Sequence, residues 1–183
     1  MRVWLTLDLA RQMTDHAQAE SPRECCGLLA GRGGDVREAI PVENISPTPE
    51  NAFVMSPIGL ARALTGLERH ELELVGFYHS HPTTPPIPSG RDVAESYYPD
   101  AAQVIISLKD GSPALAAWRI KPGEVQRLDL FVQSARPSDT DSEPLTLSGF
   151  QRMMVVIGGL TAAVVVIITA LSLLPPSPVL PLP

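Results

Sequence analysis

The chain reads as a mixed α/β domain, joined by a polar linker to one long apolar helix. Three observations predict this. Short apolar and β-branched runs of strand length recur near residues 25–30, 36–42, 103–108, 114–120 and 125–132. Longer stretches near 5–19 and 57–69 read as helices, the first ahead of the early strands and the second after them. Residues 153–174 then carry no charged side chain at all.

Taken in order, a helix is expected over 5–19, strands over 25–30 and 36–42, and a third strand over 52–55. Ser56 stands where it caps the next helix, over 57–69. The apolar run Leu74, Val75, Gly76, Phe77, Tyr78 reads as a strand that delivers His79 and His81. Ser89 and Asp92 have the spacing of a capping pair opening a short helix over 90–98. Strands near 103–108, 114–120 and 125–132 close the domain, with Lys109, Asp110, Gly111 and Ser112 supplying a hairpin turn.

The domain thus covers 1–132, and the polar, proline-containing stretch 133–152 has the makeup of a flexible linker. Residues 153–174, at about 1.5 Å per residue, are long enough to cross a bilayer core of about 30 Å, so a transmembrane helix is expected there. A short proline-rich tail occupies 175–183. Arg152 borders the apolar run and no charged side chain follows it, which favours a single-pass C-terminal anchor with the domain in the cytoplasm. The start of the chain breaks its apolar run with Asp8, which argues against a secretory signal. Gly158, Gly159, Ala162 and Ala163 give small-xxx-small spacing, compatible with a homodimer.

A net charge of -6 without a basic run argues against a nucleic-acid partner. The two cysteines, Cys25 and Cys26, are adjacent, so they build no disulfide framework and suit a reducing compartment. Neighbours on a strand also face opposite ways, and the pair lacks Cys-x-x-Cys spacing, so they read as small buried apolar side chains. A cysteine hydrolase using either thiol is the competing enzyme class. His16 and His70 belong to no motif and read as surface residues of helices or their ends.

The chemistry gathers at 79–92. On a strand, residues i and i+2 share a face, so His79 and His81 project together. With Asp92 they offer two nitrogens and one oxygen, the three-ligand set that leaves a fourth tetrahedral position of zinc open. The prolines 82, 85, 86 and 88 fix several φ angles of the intervening loop and lower the entropy cost of holding it in one shape.

His79-Ser-His81-Pro82, with seven residues between His81 and Ser89, then Ser89-x-x-Asp92, resembles the signature of the JAMM (MPN+, JAB-domain) metalloproteases. Pro22, Glu24, Cys26, Gly27, Leu28, Leu29 and Gly31 are similar to the same family's upstream strand entry, and the likeness covers roughly residues 1–132. The resemblance implies a mixed, curved β-sheet flanked by helices. It also implies His79, His81 and Asp92 as Zn2+ ligands, Glu24 as general acid/base, and Ser89 as a stabiliser of the tetrahedral intermediate. The Ser89 hydroxyl serves equally well as a plain helix cap. The implied activity is hydrolysis of a peptide or isopeptide bond, with a protein substrate such as a ubiquitin-like or sulfur-carrier protein cut after its C-terminal glycines. The alternative is a non-catalytic, membrane-anchored module of the same fold that binds a ubiquitin-like partner.

Overall fold

The computed structural model describes residues 1–134. The expected transmembrane helix, the tail and nearly all of the linker lie outside these residues; among the described residues no helix is long and apolar enough to cross a membrane.

The elements run β1 (Arg2–Thr6), α1 (Leu7–Glu20), β2 (Cys26–Arg32), β3 (Asp35–Val42), α2 (Pro57–Arg69), β4 (Glu73–His81), α3 (Gly90–Ala94), β5 (Ala102–Ser107), β6 (Ala114–Lys121) and β7 (Glu124–Gln133). The sheet is mixed, and its curvature goes to closure, in the order β1-β3-β2-β4-β5-β6-β7 with β1 returning to pair parallel with β7. Four sequence expectations need correction. The first helix was expected from residue 5, but Arg2–Thr6 forms the closing strand, with Val3 and Leu5 buried in the core. Thr6 caps α1 by accepting from the Leu9 N–H at 3.2 Å, so the chain turns helical only after it.

The strand expected over 52–55 is reduced to one isolated bridge, Asn44 to Met55, because the Asn44 side chain takes the hydrogen bonds that a neighbouring strand would take. The helix expected over 90–98 ends at Ala94. Tyr98 precedes Pro99, which disfavours helical backbone there, and its ring packs on Phe77 at 4.9 Å instead.

Alternation along the strands sends neighbouring side chains to opposite faces of the sheet. On one face Leu29 and Tyr78 join Leu9, Met13 and Ala17 of α1. On the other, Leu28 and Phe77 join Ala63 of α2. Gly27 lies opposite Tyr78 in the β2–β4 ladder, and a Cβ there would stand 2.4 Å from both the Tyr78 ring and the Ile40 carbonyl oxygen. Glycine is what lets β2, β3 and β4 close up at that point. His16 is not the surface residue expected: it is half-buried, and its Nδ1 is 3.0 Å from the Tyr78 hydroxyl. His70 is exposed at the end of α2, as read.

Candidate metal centre and its acid/base neighbour

The α2 face of the sheet carries the site. Phe77, His79 and His81 alternate onto that face of β4, and the ladder sets Leu28 against Phe77 and Cys26 against His79. Continuing the same register sets Glu24 opposite His81. Glu24 precedes the first residue of β2, so its backbone is held by loop groups: its N–H donates to the Pro49 carbonyl at 2.6 Å, and its own carbonyl accepts from Asn44 Nδ2 at 2.8 Å.

The structure brings His79, His81 and Asp92 together; among the described residues they form the one cluster of three such side chains able to hold a metal ion. The two Nε2 atoms are 3.2 Å apart, and Asp92 Oδ2 is 3.6 Å from that of His79 and 3.4 Å from that of His81. Ligands bound at the usual distances of about 2.0–2.1 Å in a tetrahedral shell stand roughly 3.3–3.4 Å from one another. The three donors therefore already have the spacing of one face of such a shell, and two imidazole nitrogens this close favour a cation between them.

Each of the three side chains is held differently. His81 Nδ1 lies 2.9 Å from the Pro85 carbonyl, and His79 stacks on Phe53 with ring centres 4.5 Å apart. His79 Nδ1 is buried with no hydrogen-bond partner among the described residues, so packing and the ladder alone orient that ring. Asp92 sits in the first turn of α3 in a reciprocal capping box: the Ser89 N–H donates to Asp92 Oδ2 at 2.6 Å, and the Asp92 N–H donates to Ser89 Oγ at 3.1 Å. Burial raises the Asp92 pKa, but the neighbouring imidazoles of His79 and His81 and the hydrogen bond from the Ser89 N–H outweigh it and hold the carboxyl well below the usual range. Burial pushes His79 down, against the pull of Asp92. An ionised carboxylate beside a neutral imidazole is what a cation site requires.

Glu24 is the electrostatic opposite of Asp92. Only 6% exposed, its carboxylate makes no hydrogen bond or ion pair among the described residues. Burial first, and the charge of Asp92 second, push its pKa up to about 7, against the opposing pull of His81 and Arg91. Such a group can both take and return a proton near neutral pH. Cys25 and Cys26 are free, buried thiols, pushed by burial up to about 11 and about 12, which leaves neither as a ready nucleophile.

Sequence reasoning missed the frame around this centre. Three successive carbonyls of the proline loop are each gripped from the protein body: Thr84 by the Ser107 hydroxyl at 2.7 Å, Pro85 by His81, and Pro86 by Trp118 Nε1 at 2.9 Å. Ser107 and Trp118 lie far along the chain and carry no motif. Beside the centre opens a cleft of about 250 Å³, lined by His79 and Asp92 together with Phe53, Met55, Phe77 and Tyr98. Exposed Ile45, Val54, Ile87 and Tyr97 stand on the loops that flank the site.

Comparison with known proteins agrees with this fold. The chain matches the family model of prokaryotic homologs of the JAB domain over residues 6–121. It is 42% identical over 88 residues to a probable TtuB-protein conjugate cleaving protease of Thermus thermophilus, a match covering 48% of this chain and 59% of that protein. It is 32% identical over 123 residues to the desampylase of Haloferax volcanii, covering 64% of this chain and 88% of the relative. With the CysO-cysteine peptidase of Mycobacterium tuberculosis it shares 35% identity over 121 residues, 64% of this chain and 82% of that one. Among solved structures, protein DSY2949 of Desulfitobacterium hafniense superposes with a TM-score of 0.67 at 29% identity, covering 77% of this chain and 99% of that chain. With the family match spanning more than half of its length, the chain belongs to the prokaryotic JAB-domain family.

Proposed function

We propose that this protein is a zinc metallopeptidase that hydrolyses a peptide or isopeptide bond following the C-terminal glycines of a ubiquitin-like or sulfur-carrier protein. The observation that carries this reading is the convergence of His79 Nε2, His81 Nε2 and Asp92 Oδ2 to within 3.2–3.6 Å of one another. Two imidazoles and a carboxylate match the donor set of catalytic zinc sites. Bound there, zinc supplies a Lewis acid for the scissile carbonyl and lowers the pKa of water toward about 7.

The remaining work falls to the chain's own groups. Glu24, unpaired and with its pKa raised to about 7, accepts the proton of the attacking water on a carboxylate oxygen and returns it to the departing amine. The Ser89 hydroxyl accepts one hydrogen bond, from the Asp92 N–H, and keeps its own proton to donate to the oxyanion that develops on the carbonyl. The apolar cleft and the exposed apolar side chains on the flanking loops suit an extended protein tail. The names of the relatives, which refer to TtuB-protein conjugates, desampylation and CysO-cysteine, support a substrate of this class.

The test is a ubiquitin-like protein joined through its terminal glycines to a lysine side chain. Turnover is expected with about one zinc per chain, to be lost with a chelator and restored by zinc. Glu24→Gln is expected to keep the metal and lose turnover; cleavage that survives chelation, or survives Glu24→Gln, overturns the reading.

The proposal extends to location. Residues 153–174, free of charged side chains, would anchor the enzyme to a membrane with its domain in the cytoplasm. Full-length protein should then sediment with membranes and resist extraction by high salt. Recovery in the salt wash would remove the anchor.

A further inference from the structure

We propose that Asn44 is a positioning residue, whose side-chain amide sets both the proton carrier Glu24 and the Phe53 loop over His79. The inference rests on the reading of Glu24 given above. A primary amide has two N–H donors and two acceptor positions. Asn44 uses all four: Nδ2 donates to the carbonyls of Glu24 at 2.8 Å and Ala52 at 3.1 Å, while Oδ1 accepts from the N–H groups of Ser46 at 2.9 Å and Val54 at 3.0 Å.

Two of those partners, Ala52 and Val54, flank Phe53, the residue whose ring stacks on His79. A third is Glu24 itself, which lies beyond the end of β2 and lacks a ladder partner for its carbonyl. One amide therefore joins two segments of the site that are far apart in sequence. The stem of the loop is closed independently, by Ile45 N–H to Val54 O at 2.8 Å and Ser56 N–H to Glu43 O at 2.9 Å. Loss of the amide thus frees Glu24 and the loop tip more than the stem. His81 and Asp92 have supports independent of Asn44 in the Pro85 carbonyl and the α3 capping box, and His79 keeps its place in the β2–β4 ladder, so the cluster should outlast the change.

Asn44→Asp is nearly isosteric. It keeps the two acceptor bonds, deletes both donors and turns a carboxylate toward the carbonyls of Glu24 and Ala52. In the full-length zinc protein, kcat is expected to fall at least tenfold, with KM within threefold of wild type. Zinc affinity, measured by competition with a chromogenic chelator, is also expected to stay within threefold. Asn44→Ala, which removes all four bonds, should show the same split, with melting temperature confirming that both variants are folded at the assay temperature.

A kcat within twofold of wild type overturns the assignment, as does a loss that merely tracks zinc occupancy, or failure of both variants to fold, which would make Asn44 a general folding residue. Glu24→Gln, assayed alongside, separates the two claims. If it turns over, the role of Glu24 falls and the premise with it; if it is inactive while Asn44→Asp works normally, only the role of Asn44 falls.

Discussion

His81 Nδ1 lies 2.9 Å from the carbonyl oxygen of Pro85. A carbonyl can only accept, so Nδ1 carries a ring proton, and in the neutral imidazole this leaves the Nε2 lone pair for the point where Asp92 and His79 converge. The proline loop therefore selects the tautomer that binds a cation, and it does so only while the loop holds its shape.

Besides His81, two side chains hold it, Ser107 and Trp118. Trp118→Phe keeps the aromatic packing but removes the Nε1–H bond to Pro86, the carbonyl next to the one that His81 uses. Outer partners of metal ligands typically contribute about 10–100-fold in affinity. Acting one residue further out, this change should weaken zinc binding about tenfold, as measured by chelator competition, with little effect on kcat once the protein is saturated with zinc. Unchanged affinity would show that the prolines hold the loop without help.

Glu24 imposes a pH dependence on the metal-free fold. Its ordinary pKa is 4.5 and its folded value about 7, with burial the main cause. Below pH 4.5 both the folded and the unfolded chain hold the proton and nothing is lost. Between 4.5 and 7 the folded state retains a proton that the unfolded state has released, so stability declines as pH rises through that window and levels off above it. Glu24→Gln abolishes the effect. The metal-free variant should be more stable than metal-free wild type by about 2–3 kcal/mol at pH 8 and by almost nothing at pH 4. Denaturant unfolding at the two pH values checks it; a gap independent of pH would place the Glu24 carboxylate in a solvated setting.

How far the sequence reached depends on whether a feature is local. His79 and His81 share a face because strand periodicity demands it, and Ser89 with Asp92 declares a capping box by spacing alone, so the convergence of His79, His81 and Asp92 was readable from short segments. Helix α2 and the strands β2 to β7 were legible for the same reason. The N-terminal strand was missed although Val3 and Leu5 alternate with more exposed neighbours, because its five residues run straight into a helix and only the pairing with β7 makes it a strand. The strand expected over 52–55 failed because a side chain, Asn44, took the place of a neighbouring backbone, a substitution that no window of sequence reveals. The contacts of Ser107 and Trp118 with the proline loop span 23 and 32 residues, and they too arise from tertiary packing alone.

The thiols give a clean separation between metal and cysteine chemistry. Cys25 and Cys26 are almost fully buried, and Cys26 Sγ donates to the Val42 carbonyl at 3.4 Å. With pKa values of about 11 and about 12, the thiolate fraction near neutral pH is negligible. Iodoacetamide applied to the native protein at pH 7.5 should leave turnover within twofold, and Cys25→Ala and Cys26→Ala should both remain active. Chelation under the same conditions should abolish turnover. Inactivation by alkylation would return the cysteine mechanism to contention.

Ser89 combines two roles that one substitution can pull apart. Its Oγ accepts from the Asp92 N–H, while its backbone N–H donates to Asp92 Oδ2, and that second bond does not need the side chain. Ser89→Ala therefore removes the cap but leaves the ligand oxygen anchored. Stability should fall by about 1 kcal/mol, the usual value of such a cap, and zinc affinity should change by less than threefold. If the free hydroxyl proton also meets the developing oxyanion, kcat should fall by roughly 100-fold with KM little altered, the pattern of a bond made only in the transition state. A drop in kcat below threefold, accompanied by the same loss of stability, would confine Ser89 to capping α3 and leave the oxyanion to another donor.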